Sequence, residues 1–127
     1  MAREHAAGAE LRIAPRPDQV RTARVVAAAA ARRAGLDAET VDDVRLAVGE
    51  AVTRAVLRER EAGVDSEIVI GLADDGEVFT VTVRDSAPSS GEPDGGVALT
   101  VAVRLASGGE HHTTETGSTV HLLWPAV

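Results

Sequence analysis

The chain has no cysteine and no lysine among its 127 residues. The lack of cysteine excludes a disulfide framework, thiol catalysis and cysteine-ligated zinc. It also fits the cytoplasm, where we expect this protein to be. All 13 basic residues are arginine. Without lysine the chain has no side-chain amine for a Schiff base and no lysine to contact a phosphate.

Aromatic residues are scarce, at 2% of the chain, and Phe79 and Trp124 are the only large rings. Few side chains can stack on bases, which argues against binding of single-stranded nucleic acid. The net charge of −7 also disfavours a phosphate backbone as the partner. An acidic chain is compatible with protein partners, although charge alone does not identify them.

Long apolar runs are missing as well. None approaches the roughly 20 residues that cross a bilayer, and the N-terminal residues contain no apolar core of a signal peptide. Hydrophobic residues still make up 44% of the chain, enough for a core of alanine, valine, leucine and isoleucine. The length suits one domain. We therefore expect a flexible N-terminus over residues 1–9 and a single domain over residues 10–127.

The first half of the chain predicts a strand followed by two helices. Residues 11–14 alternate in polarity and are followed by prolines, as at the end of a strand. Asp18 is a suitable N-cap for a helix that ends just before Gly35. Asp37 is a suitable N-cap for a second helix, which Gly63 ends.

The second half predicts two hairpins. Alternating hydrophobic residues predict strands over residues 67–73 and 79–85, joined by a turn at residues 74–77. Two final strands are expected at about residues 110–115 and 118–124. No internal repeat or domain linker separates these elements.

The segment between the hairpins is ambiguous. Residues 86–96 are rich in serine, glycine and proline and predict a loop. In residues 97–106, valine or leucine at every second position favours a strand. Ala98, Val101 and Leu105 also fit one face of a helix.

The order of these elements predicts an α+β fold. Antiparallel strands with the helices collected on one face form a two-layer sandwich. We expect a mainly antiparallel sheet that is covered on one face by three helices.

The most informative stretch lies in the second helix, over residues 42–56. Its apolar residues recur at steps of three and four and form a stripe; they include Val41, Val44, Val48, Ala51 and Ala55. Glu50 and Arg54 lie together on another side of the helix, one turn apart. A glutamate in so apolar a run indicates a specific role.

Residues 50–58, with Glu50, Arg54 and Arg58, read Glu-Ala-Val-Thr-Arg-Ala-Val-Leu-Arg. This stretch resembles the N-box helix of the GHKL (Bergerat-fold) ATPases, and is most similar to the small anti-sigma factor serine kinases of bacteria. Their pattern begins Glu-Ala-x-Thr-Asn-Ala and continues along the helix to a His. Arg54 stands in place of its Asn, and Arg58 in place of its His. The resemblance covers about residues 10–124, implies the Bergerat ATPase fold, and favours a helix for the ambiguous segment.

In the kinase members of this family, the glutamate at the position of Glu50 is the base that helps to activate the attacking hydroxyl. The residues by themselves favour an ion pair from Glu50 to Arg54. The family Asn holds Mg²⁺, whereas a guanidinium has no acceptor and repels the cation. Arg54 could instead contact a phosphate directly.

The resemblance also implies an adenine site after the second hairpin strand. The family reads Asp-x-Gly-x-Gly there, and its Asp accepts a hydrogen bond from the adenine amino group. Asp85 matches this residue. Ala87 stands where the first Gly is expected, and its Cβ would crowd the purine. The alternative for Asp85 is a residue that ends a strand and starts a turn.

Two glycine-containing motifs complete the family site. Gly-x-Gly-Leu cradles phosphates at a helix N-terminus, and here Gly95 and Gly96 are present while Ala98 replaces the second Gly. Thr119 matches a Gly-x-Thr element that reaches the adenine pocket. Ordinary loop glycines and an ordinary hairpin turn are the alternatives for these two motifs.

A metal site of the histidines is not expected. His111 and His112 are adjacent in a predicted strand, so their side chains point to opposite faces. We therefore assign both to the surface and expect no metal ligands among them.

The resemblance implies ATP or ADP with Mg²⁺ as cofactor. The residues at positions 54, 87 and 98 predict that this binding is weakened or lost. The chain is then expected to be an anti-sigma-factor-like regulator that binds a sigma factor or a STAS anti-anti-sigma protein, and the resemblance is compatible with a homodimer. An active ATP-dependent serine kinase acting on a STAS protein remains an alternative, as does a sensor that recognises an anionic ligand through Arg54.

Overall fold

The computed structural model describes residues 7–89 and 96–126. A 3₁₀ turn at Pro17–Gln19 precedes the first helix. The helices and strands follow in the order β1 (Ala7–Ile13), α1 (Val20–Arg33), α2 (Ala38–Ala62), β2 (Ile68–Asp74), β3 (Val78–Asp85), α3 (Gly96–Leu105), β4 (Gly108–Thr114) and β5 (Gly117–Pro125).

The described strands form one antiparallel sheet in the order β1-β2-β3-β5-β4. Three helices form a second layer against it, which confirms the expected α+β two-layer sandwich. β1 begins earlier than expected because it pairs with β2 from Ala7 to Ile13. The antiparallel pairing of β3 with β5 places the end of β3 beside the start of β5, and the site described below lies there.

The core lies between the sheet and α2, which packs against both α1 and α3. Five apolar residues of α2 are fully buried, at 0% exposure: Val44, Ala47, Val48, Ala51 and Val52. Small alanines of α1 allow the two helices to pack closely; Ala23, Ala27 and Ala31 are likewise 0% exposed. Among the described residues, no helix is both long and apolar enough to span a bilayer.

The ends of α2 are as the sequence predicts. The Asp37 carboxylate accepts a hydrogen bond of 2.8 Å from the Thr40 amide, which satisfies a free donor of the first turn. Gly63 ends the helix with a positive φ of 68°, which glycine adopts without strain.

The predicted cap of α1 was wrong. Asp18 lies within the 3₁₀ turn and pairs with the Arg16 side chain at 2.7 Å. The helix begins only at Val20, and Gln19 at the cap position makes no side-chain cap bond. The proline at position 17 starts the turn early, because its fixed φ favours a helical first residue.

The ambiguous segment is a helix, α3, as predicted from the resemblance. Leu99 is 2% and Ala102 0% exposed, one turn apart, whereas Val101 is 37% exposed. Burial therefore follows the helical period and not the alternating one.

Gly109 lies after α3, in β4, where it packs closely against β5. A Cβ at this position would come 3.1 Å from the Leu122 side chain.

Candidate functional site

The candidate site consists of four side chains that meet where α2 passes over the end of β3 and the start of β5. Asp85 is paired across the ladder with Ser118, and both are buried. Arg54 and Arg58 lie one turn apart on α2, on the same side of the helix. Each donates to one of the two sheet residues. Two guanidinium groups from the helix thus face a carboxylate and a hydroxyl from the sheet.

Arg58 and Asp85 form a bidentate ion pair. Arg58 Nε lies 2.9 Å from Oδ2 of Asp85, and Nη2 lies 3.3 Å from Oδ1. The side chains are 15% and 1% exposed, respectively. Charged bidentate pairs of this kind are among the stronger polar contacts in proteins. The carboxylate that the resemblance assigns to adenine is therefore already bonded within the chain.

Backbone groups complete the surroundings of Asp85. The amides of Ala87 and Ser118 donate to its Oδ1 at 3.0 and 3.3 Å. Arg58 Nη2 also donates to the carbonyl oxygen of Ala87, a residue that is 1% exposed. The start of the loop after β3 is consequently held by both α2 and β5.

Arg54 is a buried cation, at 6% exposure. Its Nη1 donates to Ser118 Oγ at 3.0 Å, and its Nε is buried without a hydrogen-bond partner. Burial lowers the pKa of Arg54, the charge of Arg58 lowers it further, and Asp85 partly opposes both effects. An arginine still remains charged in these conditions. A positive charge therefore occupies the position where the family pattern has a metal-binding Asn.

Glu50 does not form the ion pair that its spacing from Arg54 allows. Within the part of the chain that the structure describes, its half-buried carboxylate makes no hydrogen bond or ion pair. A free carboxylate is compatible with the role of a base. The ion pair between Glu50 and Arg54 is therefore not formed. The role of Glu50 as a base stays a prediction.

Glu59 is a site residue that the sequence analysis missed. Its side chain is 0% exposed, and it accepts from the Ser66 amide at 3.0 Å and from the Ser86 amide at 2.6 Å. These bonds join the end of α2 to the segment before β2 and to the residue after Asp85. A carboxylate in line with the apolar stripe of α2, one turn after Val56, was the available signal.

Ser118 is the second site residue that the sequence did not predict. The sequence pointed instead to its neighbour Thr119. Thr119 pairs with Arg84, while Ser118 pairs with Asp85. Since neighbouring strand residues point to opposite faces, Thr119 faces away from α2. It lines an open groove of about 340 Å³ on the face of the sheet opposite the helices, together with Arg84 and His112. The apolar Val120 was the available signal. It is two residues after Ser118, so the two side chains share the face of the sheet that is covered by the helices.

The remaining candidates belong to the loop and to α3. Gly96 is the first residue of α3, and Ala98 is half-buried in its first turn. Gly95 lies outside the described residues. Gly96 and Ala98 therefore lie at a helix N-terminus, and their role toward a phosphate stays a prediction.

The histidines behave as their spacing predicts. His111 pairs with Val120 and His112 with Thr119, so the two face opposite sides of the sheet. In residues 7–89 and 96–126, no group of three or more histidines or carboxylates could hold a metal ion.

The α+β sandwich, with α2 lying over the strand-end aspartate Asp85, is the arrangement that the resemblance to ATPase-like domains implies. The sequence model of the histidine kinase-like ATPase domain matches residues 13–124 of this chain. The chain therefore belongs to the histidine kinase-like ATPase domain family, a member of the GHKL-type superfamily. No curated protein matches the chain at a significant level.

A domain of this class implies nucleotide binding with Mg²⁺. The residues found here do not fit that group. Mg²⁺ requires oxygen ligands, whereas position 54 presents a guanidinium that is bonded to Ser118. Asp85, the acceptor that the resemblance implies for the base, is also engaged, because both of its oxygens accept from Arg58.

Proposed function

We propose that this chain is an anti-sigma-factor-like regulatory protein of the GHKL serine kinase family in which ATP binding is weakened or lost. It acts in the bacterial cytoplasm by binding a sigma factor or a STAS anti-anti-sigma protein, as a homodimer. The observation that carries the proposal is Arg54, a buried cation at the position of the metal ligand. Membership of the family supports the fold and the kind of site.

Charge explains why Arg54 opposes the cofactor. Two positive charges at about 4 Å repel by several kcal/mol at the intermediate dielectric of a protein surface. Arg54 cannot lose its charge to admit Mg²⁺, because arginine stays protonated in proteins. It is also anchored to the sheet through Ser118. A magnesium nucleotide would therefore have to displace a bonded side chain from a buried position.

The first test is calorimetric titration of the purified chain with ATP and ADP, with Mg²⁺ and with EDTA. We expect no binding tighter than about 1 mM in either condition, which corresponds to about −4 kcal/mol. Magnesium-dependent binding in the micromolar range would overturn the loss of nucleotide binding.

The second test addresses the partners. Sigma factors and STAS proteins encoded in the same genome are purified and mixed singly with this chain, and complexes are detected by size-exclusion chromatography with light scattering. A stable complex with one of them is expected, and the mass of the free chain reports the homodimer. If no sigma factor and no STAS protein binds, the regulatory proposal is wrong.

The alternative function is an active serine kinase, and what favours it is the carboxylate of Glu50, which has no hydrogen-bond or ion-pair partner in residues 7–89 and 96–126. Transfer of radiolabelled phosphate from Mg-ATP to a serine of a STAS protein would support this alternative. Loss of transfer in Glu50→Gln, with transfer retained in the surface variant Glu39→Gln, would assign the reaction to Glu50. The absence of any transfer by the unmodified chain, alongside partner binding, would exclude it.

A further inference from the structure

We propose that Arg58 is the residue that determines the loss of adenine recognition, because its guanidinium occupies the hydrogen-bonding position of the base on Asp85. This inference rests on the proposed function, in which Asp85 is the inherited base-reading carboxylate. It differs from the argument on Arg54, which concerns the metal. The Arg58 guanidinium would thus donate to Asp85 in place of the amino group of adenine.

The geometry of the pair supports a substitute ligand. The amino group of adenine would donate neutral N–H bonds to the carboxylate. Arg58 instead donates two charged bonds, of 2.9 and 3.3 Å, one to each oxygen of Asp85. Both donors would face an ionised acceptor, but only the guanidinium adds an opposite charge and two bonds in a planar fork, which is the stronger arrangement. A base would have to exchange the stronger pair for a weaker one.

Displacement of Arg58 would carry a second penalty. Its side chain is 15% exposed and already lies beside Arg54, another cation. Once removed from Asp85, it would lose its only ion pair among the described residues. Separating a largely buried pair leaves uncompensated charge, which is strongly unfavourable. The arginine therefore stays in place unless a ligand offers an anionic group of its own.

The surrounding backbone fixes the pair from the other side. Arg58 also donates to the carbonyl of Ala87, and the Ala87 amide donates to Asp85. The next residue along α2, Glu59, holds the Ser86 amide at 2.6 Å. Both ends of the Asp85–Ala87 segment are consequently tied to α2. The loop start has a defined position without any bound base.

The experiment uses adenosine, which lacks phosphates and so tests the base position without the metal. Amide shifts of Ala87 and Ser118 in ¹⁵N spectra report on the site, because both amides donate to Asp85. We expect adenosine to shift these signals saturably in Arg58→Ala, with an affinity at least about tenfold above that of the unmodified chain. Inosine, which has an oxygen in place of the amino group, is expected not to bind.

Arg45→Ala is the matched control, because Arg45 lies on the same helix and pairs with Asp42 at the surface, at 40% exposure. It is expected to behave as the unmodified chain. Equal affinity of the unmodified chain and Arg58→Ala for adenosine would overturn the inference. So would equal binding of adenosine and inosine, or no binding of either by folded Arg58→Ala.

A second variant covers a failure of Arg58→Ala to fold. Arg58→Gln keeps most of the side-chain volume but removes the charge and the planar fork, and the same comparison of adenosine with inosine applies to it. The outcomes also separate the two proposals. Tight binding of Mg-ATP by the unmodified chain, without adenosine binding, would refute the proposed function alone. No adenosine binding by the folded variants, without Mg-ATP binding by the unmodified chain, would refute the role of Arg58 alone.

Discussion

At the scale of single residues, the site places two arginines, Arg54 and Arg58, near one aspartate, Asp85. Asp85 is the carboxylate nearest to two arginines, and it is bonded directly to one of them. Arg54 has only the hydroxyl of Ser118 as its partner among the described residues. Removing the charge of Asp85 therefore takes the ion pair from Arg58 and the opposing charge from Arg54.

The first prediction concerns Asp85→Asn. The neutral amide cannot pair with Arg58, so the free energy of unfolding is expected to fall by about 3 kcal/mol, as when one partner of a buried pair is removed. Urea denaturation, followed by the fluorescence of Trp124, measures the change. Asp42→Asn breaks an exposed pair in which Asp42 is 66% exposed, and it should cost less than about 1 kcal/mol. Similar losses in both variants would show that the Asp85 pair contributes no more than a surface contact.

The second prediction concerns Gly117→Ala. Gly117 has a φ of 143°, and a Cβ at this position would lie 2.1 Å from the carbonyl oxygen of Asp85. We expect a loss of about 3 kcal/mol or more, because backbone strain and a steric overlap add together. Thermal unfolding measured by circular dichroism checks this.

Gly76→Ala separates strain from overlap. Its φ of 93° is equally unfavourable for alanine, but no atom lies within 4 Å of the added Cβ. This variant should lose only about 1 kcal/mol. If the two variants were equally stable, close approach of β5 to the end of β3 would not be a constraint on Gly117.

At the scale of elements, capping shows how far local chemistry determines helix ends. The carboxylate of Asp37 accepts from the Thr40 amide, and these hydrogen bonds lower its pKa below the usual value of 3.8. A lowered folded-state pKa stabilises the fold above the unfolded value, and that contribution is lost as pH falls through the folded value. The stabilisation is therefore complete at neutral pH.

The third prediction follows from this sign. Asp37→Ala should unfold at a lower temperature than the unmodified chain at pH 7, and the difference should shrink as the pH falls below 3.8. Asp18→Ala is the matched control, since among the residues that the structure describes Asp18 makes no cap bond and pairs with Arg16 alone. A difference between Asp37→Ala and the unmodified chain that stays constant from pH 7 to pH 2 would contradict the titration argument.

Periodicity and caps predicted most of the elements, because these signals lie within a few residues of one another. The helical assignment of residues 97–106 depended on the resemblance, since alternation and a helical face coexist in that sequence. The cap of α1 failed because a proline-led turn competes with Asp18 for the start of the helix. Local patterns do not decide between such competing structures.

The candidate site was harder to predict, because its contacts join distant parts of the chain. The sequence identifies Asp85 and Arg54 one by one, but their partners depend on how α2 crosses the sheet. Arg58 was noted only as a replacement for His, and its pair with Asp85 spans 27 positions. Ser118 and Thr119 are adjacent in β5, so their side chains point to opposite faces of the sheet. An error of one position in the sequence motif therefore selects a residue on the wrong face.

At the scale of the whole molecule, the helical layer and the sheet meet through buried side chains of this chain alone. Val48 and Val52 of α2 are 0% exposed, and the polar ends of β3 and β5 are bonded to α2 by Arg58, Arg54 and Glu59. These contacts complete the junction of helix and sheet where a nucleotide is expected in this family. The stability of the fold should accordingly be independent of ATP.

The fourth prediction is that Mg-ATP does not change the unfolding temperature. A ligand that binds only the native state stabilises it by RT ln(1 + [L]/Kd), so 1 mM ATP with a Kd of about 10 µM would add about 2.7 kcal/mol and raise the midpoint by several degrees. Differential scanning calorimetry of the chain with 1 mM Mg-ATP should instead give the midpoint found with 1 mM Mg-tripolyphosphate, which matches the charge but lacks the nucleoside. A rise seen with Mg-ATP alone would mean that a nucleotide reaches the site despite Arg54 and Arg58, and the kinase function would then be the better account of the molecule.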